Sequence, residues 1–174
     1  MTIQSVMDLE RLQKIGRIVA DCLQIMGQSL EPGMTTSELD SIGAVFLEKH
    51  GARSAPQLTY NFPGTTCISV NHKIAHGIPS NEWIKSSDMV NIDVSAELDG
   101  YFADTGASFV VPPVPALKNY VCRTTQKSLK QAMLEARAKQ PLNGIGRAIE
   151  SVAHAAGLTI IENLGSHGVG RALH

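Results

Sequence analysis

The sequence has almost no excess charge of either sign. Fifteen Lys and Arg residues stand against sixteen Asp and Glu, a net charge of −1 at neutral pH, so nothing draws the chain as a whole to nucleic acid or to an anionic membrane. Aromatic residues are scarce at 5%, with a single Trp, and no basic run is interleaved with them, which removes a stacking platform for bases. No apolar run approaches the roughly 20 residues that span a bilayer. The opening MTIQSVMDLERLQK lacks the basic-then-apolar order of a secretory signal. Cys22, Cys67 and Cys122 form no CxxC pair and are odd in number, which argues against a disulfide framework and a zinc knuckle alike. These absences point to a cytoplasmic protein with reduced thiols, without a membrane or direct nucleic-acid partner.

What remains is an ordinary globular composition. A chain of 174 residues, 43% hydrophobic and 18% charged, suits one domain with a sizeable core.

Its organising stretch is 88–106, DMVNIDVSAELDGYFADTG. Two β-prone runs flank Asp99-Gly100, and an Asp-Gly pair in that setting is the strongest short-range hairpin signal, because a type I′ turn needs positive φ at both central residues. With a loop of those two residues, 98 pairs with 101, 95 with 104 and 93 with 106. Asp93 and Asp104 then become diagonal neighbours on one face, roughly 7–8 Å apart at Cβ or somewhat less. Asn91 and Ser95 share that face, while Ile92, Val94 and Ala96 point the other way. Two carboxylates so placed repel unless a proton or a cation lies between them. A pair of divalent metals about 3.5–4 Å apart fits the gap. A solvated hairpin face is the competing reading of the pair taken alone, and a one-residue bulge would put the two Asp on opposite faces.

Around the hairpin, helical spacing runs from 7 to 26, with Ser5-Val-Met-Asp8 as its cap. After Pro32-Gly33, Thr35-Thr-Ser-Glu38 reads as a capping box opening a second helix that Gly51 closes. Residues 52–87 read as loop and strand punctuated by prolines, with a short strand over 67–70. A long helix is predicted over 116–139, stopped by Gln140-Pro141. Asn143 caps another, Gly157 ends it, and 158–161 is β-prone. The order of long helix, Pro break, capped shorter helix, Gly and strand occurs twice. That predicts an α+β protein of two halves, about 1–111 and 116–174, related by an internal pseudo-twofold. Clefts between such halves collect ligands.

Histidines supply the remaining chemistry. His167 lies between Gly165-Ser166 and Gly168-Val-Gly170, which lets backbone approach closely and leaves the imidazole uncovered. The Gly-Arg171 that follows is not the Gly-Lys-Ser/Thr of a phosphate loop. Alone, such a His is more often structural; beside an Asp pair it adds the nitrogen donor usual in Mn, Fe, Co or Zn sites. His76 and His174 sit in similar turn-rich surroundings and could exchange protons with a substrate amide. Cys67 reads better as a buried small hydrophobe than as a nucleophile partnered by His76.

Three stretches, CISVNHKIAHGIP, VNIDVSAELDGYFADTGASFVV and SHGVGRALH, in this order and spacing, resemble the type I methionine aminopeptidases, those of low-GC Gram-positive bacteria in particular. The resemblance runs from about residue 7 to the last. It implies the pita-bread fold, with 174 residues forming one catalytic domain whose second half, 116–174, is partial. It further implies removal of N-terminal methionine from nascent peptides by two divalent metals (Co, Mn, Fe or Zn), with a metal-bridging hydroxide attacking the first peptide carbonyl. Asp93 and the bridging Asp104 correspond to the Asp ligands, and His167 to the His ligand. His76 and His174 correspond to the substrate-contacting histidines, and Phe62 and Cys67 to residues lining the methionine pocket. Thr59 stands where many relatives have an aromatic, and Leu173 where they often have Phe. A monomeric, cytoplasmic enzyme working near the ribosome is the expectation for the complete protein. The family's two Glu ligands do not occur before His174, so the resemblance implies a C-terminally truncated chain, inactive by itself, weakly metal-binding and prone to associate through an unfinished sheet. A non-catalytic binding protein on the same fold is the alternative.

Overall fold

The computed structural model describes residues 3–174. The first helix, α1 (Val6–Ser29), opens with the anticipated box: the Ser5 hydroxyl accepts from the Asp8 amide while the Asp8 carboxylate accepts from the Ser5 amide. Its stripe of Ile15, Ile18, Val19, Cys22, Leu23 and Met26 is buried, as the apolar spacing requires. The second helix, α2 (Thr36–Lys49), has the same reciprocal cap between Thr35 and Glu38. Gly51 follows it at φ +69, the left-handed stop that glycine adopts without strain.

A two-residue strand, β1 (Arg53–Ser54), and a short helix, α3 (Ala55–Tyr60), come next. The latter corrects the loop expected over this stretch. Ser54 caps it by accepting from the Gln57 amide, and Pro56 sits in its first turn, where the missing N–H costs nothing. The strands β2 (Cys67–Val70), β3 (Met89–Leu98) and β4 (Tyr101–Val110) complete the sheet. Strand β3 is its spine: β4 pairs along one edge, while β1 and β2 share the other, all antiparallel.

The turn is Asp99-Gly100, both with positive φ, and the register is the expected one, Leu98 with Tyr101, Ser95 with Asp104 and Asp93 with Gly106. No bulge intervenes, so the Asp pair shares a face. The opposite face carries Val90, Ile92, Val94 and Ala96, all fully buried, in one cluster with the α1 stripe. Approach is so close that a Cβ on Gly27 of α1 would stand 2.3 Å from the ring of Phe109.

The chain divides into two compact units, residues 1–113 together with 167–174, and residues 114–166. The second unit holds α4 (Ala116–Glu135) and α5 (Asn143–Ala155). Helix α4 stops earlier than the proline alone dictated. Residues 135–143 are exposed, so extending the helix would bury nothing and gain no packing. Helix α5 starts at Asn143 itself with no side-chain cap. The β-prone run 158–161 forms no strand; it has no ladder partner among the described residues, and a strand is stable only when its backbone groups are paired.

Candidate metal and substrate site

Helix α3, strands β2, β3 and β4, two loops and the last residues bring side chains to one cavity of about 430 Å³ within the first unit. Strand pairing carries Asp93 and Asp104 to it, and β2 adds Cys67, whose Cα partner in β3 is Asp93. The loop into β2 is held by Asp40 of α2, whose carboxylate accepts from the Thr65 and Thr66 amides and the Thr66 hydroxyl at 2.7–3.0 Å. That fixes the approach to Cys67 and, just upstream, Phe62.

His76 is placed by backbone geometry. It has φ +53, a conformation that costs a side-chain-bearing residue energy and persists only where its surroundings insist. Its neighbour Gly77 supplies the insistence: the Ile68 amide donates to the Gly77 carbonyl at 2.9 Å, and the Gly77 amide donates to the Ser69 hydroxyl at 3.0 Å. A Cβ on Gly77 would stand 2.1 Å from the Ile68 carbonyl oxygen.

The last residues arrive without regular secondary structure. His167 Nε2 lies 3.1 Å from Asp104 Oδ2, while its Nδ1 faces the Gly168 carbonyl at 3.2 Å. A carbonyl only accepts, so Nδ1 donates to it, and with a cation between Nε2 and Asp104 the Nε2 lone pair would be offered to that cation. His174 stacks near His167, ring centroids 4.1 Å apart, and shares a hydrogen bond between its Nδ1 and the Tyr60 hydroxyl.

Electrostatics mark the same spot. Burial, then the neighbouring charge of Asp104, raises the Asp93 carboxyl to about 7. Burial, then Asp93 and Asp104, pushes the Cys67 thiol up to about 12; a thiol this hard to ionise is no nucleophile at neutral pH. The pocket therefore concentrates carboxylates, no Lys or Arg among the described residues lines it, and a divalent ion would fill that shortage. As the side chains stand, no three His, Cys, Asp or Glu among the described residues are gathered into a ligand group. The donors meet in pairs through Asp104, with Asp93 on one side and His167 on the other. Two carboxylates and an imidazole fit a divalent ion in donor type.

All seven residues expected at the site, Phe62, Cys67, His76, Asp93, Asp104, His167 and His174, line this one cavity, and Leu173 lines it too. Thr59 does not; Pro56, Tyr60 and Ser95 do. Tyr60 belongs to α3, the helix that stands where a loop was expected. Ser54-Ala-Pro56 was the available signal, a capping Ser with Pro in the first turn, and it puts Pro56 and Tyr60 four apart on one helical face.

The fold is that of a metal-dependent hydrolase. Residues 10–174 match Metallopeptidase family M24, and the chain belongs to that family. Within it, the chain is 46% identical to methionine aminopeptidase 2 of Bacillus subtilis, over all of this chain and 70% of that protein. The solved methionine aminopeptidase of Rickettsia prowazekii superposes with a TM-score of 0.95 at 31% identity, again over 100% of this chain and 70% of the other. The prolidase of Pyrococcus furiosus, at 20% identity and a TM-score of 0.85, shares the fold. This is the pita-bread fold of the M24 aminopeptidases, a mixed α and β architecture.

Proposed function

We propose that the complete protein removes N-terminal methionine from nascent peptides in the cytoplasm, with two divalent metal ions as its cofactors. One observation carries the reading: the acidic pair, its histidine partner and two further histidines open into a cavity that Phe62, Cys67 and Leu173 line beside them. The relatives named methionine aminopeptidase support the choice of substrate. Asp93, Asp104 and His167 would hold the metal, which when bound would supply Lewis acidity to polarise the scissile carbonyl and activate water.

The chain's own residues do the rest. His76, held in its strained conformation, presents its imidazole to the scissile amide. His174, held through Nδ1 by Tyr60, presents the other ring nitrogen for a hydrogen bond to the developing oxyanion. Phe62 and the neutral Cys67 thiol offer a flexible thioether an apolar, polarisable wall. Burial of the substrate's methionine side chain there excludes water and sets the register of the first peptide bond.

The test is turnover of a Met-Ala-Ser peptide with Mn or Co added, alongside metal content. In the complete protein, Asp93→Ala should abolish turnover and deplete metal. Retained turnover at normal metal content would remove Asp93 from the mechanism. Failure of the wild-type protein to take up any transition metal would favour a binding protein on the same fold.

A further inference from the structure

Two of the site's histidines, His167 and His174, lie in a segment with no helix or strand to hold them. What fixes it is found on the other face of the hairpin. Between the two histidines, Arg171 reaches to Tyr101, with its guanidinium carbon 3.9 Å from the ring centroid. Its Nη2 donates to Asp8 Oδ1 at 3.0 Å. The Tyr101 hydroxyl donates to the same oxygen at 2.5 Å, while the other oxygen of Asp8 accepts from the Gln4 and Ser5 amides at 3.0 Å. Tyr101 is 1% exposed and Asp8 7%, so the partners of Arg171 are rigid. The Phe102 amide donates to the Gly170 carbonyl at 2.7 Å, tying the neighbouring backbone to β4. Arg171 also covers the hairpin turn, since a Cβ on Gly100 would meet its Nη1 at 3.7 Å.

We propose that Arg171, clamped by Asp8 and Tyr101, is a positioning residue that holds His167 and His174 over the Asp93–Asp104 pair. The inference rests on the site reading given above. An arginine suits the task for a specific reason. Its planar fork can stack on a ring and donate to a carboxylate at once, so it restrains direction as well as distance. With Arg171 in place, the segment is pinned four residues after His167 and three before His174. Each imidazole then has only a short length of backbone over which to wander. Without it, the backbone bond from Phe102 remains, but the segment can pivot about it.

The experiment compares Arg171→Gln, Arg171→Lys and His167→Ala in the 174-residue chain, by calorimetric titration with Co(II) and by imidazole nitrogen NMR. Arg171→Gln should weaken Co(II) binding roughly tenfold to a hundredfold, the range seen when a group supporting a metal ligand is removed. The ring signals of His167 and His174 should broaden or split, while those of His76 and the melting temperature in chelator stay as in wild type. Arg171→Lys, which keeps the charge and loses the planar stack, should fall between. Wild-type affinity in Arg171→Gln, with affinity lost in His167→Ala, would overturn the clamp and leave the site reading intact. Wild-type affinity in His167→Ala would overturn the site reading and the clamp with it. A parallel disturbance of His76 and of the melting temperature in Arg171→Gln would overturn it as well, since that is general loosening.

Discussion

The two faces of one hairpin show opposite solutions to burial. On the face towards α1, Val90, Ile92, Val94 and Ala96 are fully enclosed hydrocarbon, and every atom gained from leaving water. On the other face the same strand carries Asn91, Asp93, Ser95 and Glu97, with Asp104 and Ser108 across from them. Glu97 is buried to 4% exposure. Burial pushes its carboxyl up, but bonds from the Arg53 guanidinium and the Gly100 amide more than offset this and hold it below its ordinary range. Asp93, four residues earlier on the same face, has no such cation and is raised to about 7. One carboxylate is neutralised by the fold and the other is left wanting. The first stabilises the turn; the second is available for a metal. A destabilised group on a rigid strand is what a binding site requires, since the ligand then restores what the fold gave up.

The largest expected effect comes from the hydrocarbon face. Ile92→Ala should destabilise the protein by about 2–5 kcal/mol in chemical denaturation, the cost of a cavity in a packed core, at any pH and without metal. A loss well under 1 kcal/mol would mean that this face is less tightly packed than its full burial indicates.

The polar face should respond to pH instead. Because the folded-state carboxyl of Asp93 lies above the unfolded value of 3.8, the folded chain binds more protons between those limits. Its contribution is fully present below about pH 3.8 and is lost as pH rises towards 7. The metal-free chain should therefore lose stability across that window at up to about 1.4 kcal/mol per pH unit, the limit for one proton. Saturating Co(II) or Mn(II) should flatten the slope. An unchanged slope with metal bound would separate Asp93 from the metal.

Asp93→Asn keeps the shape and removes the charge. In chelator at pH 8 it should raise stability by about 1.4 kcal/mol or more, one pKa unit's worth, while weakening metal binding. A destabilised Asn variant would mean that the carboxylate supports the fold as Glu97 does. The smallest effect belongs to Ser108→Ala. The Asn91 amide donates to the Ser108 hydroxyl at 3.1 Å across the strands, and losing that bond should cost about 0.5–1.5 kcal/mol in the same denaturation assay with metal affinity unchanged.

How much of this was legible beforehand depended on the range of the interaction. Caps, turn and hairpin register are local, decided by residues a few positions apart. Ser5 with Asp8, Thr35 with Glu38 and the Asp99-Gly100 turn all formed as read. Helix α3 is just as local, yet Pro56 disguises it, since a proline reads as a break although a first-turn proline is tolerated. The strand expected over 158–161 failed for the opposite reason: a strand is never local, and propensity without a partner leaves the backbone unpaired. Likewise, spacing alone could bring the two Asp to one face but could not exclude a solvated surface. Surroundings rich in turns pointed to His76 and His174, whereas Phe62 and the pocket role of Cys67 rest on motif resemblance alone.

By itself, then, the sequence made the carboxylate pair the expectation, since period-two alternation about a two-residue turn puts both Asp on one face when no bulge intervenes. Only the tertiary structure decided that Asp93 is half-buried beside Asp104 while Glu97 has Arg53. It also decided that His167 comes within 3.1 Å of Asp104, that Tyr60 rather than Thr59 lines the cavity, and that Arg171 closes on an Asp8 that lies 163 residues away in the chain. Those pairings depend on desolvation and on long-range contact, and both exist only once the chain has closed around them.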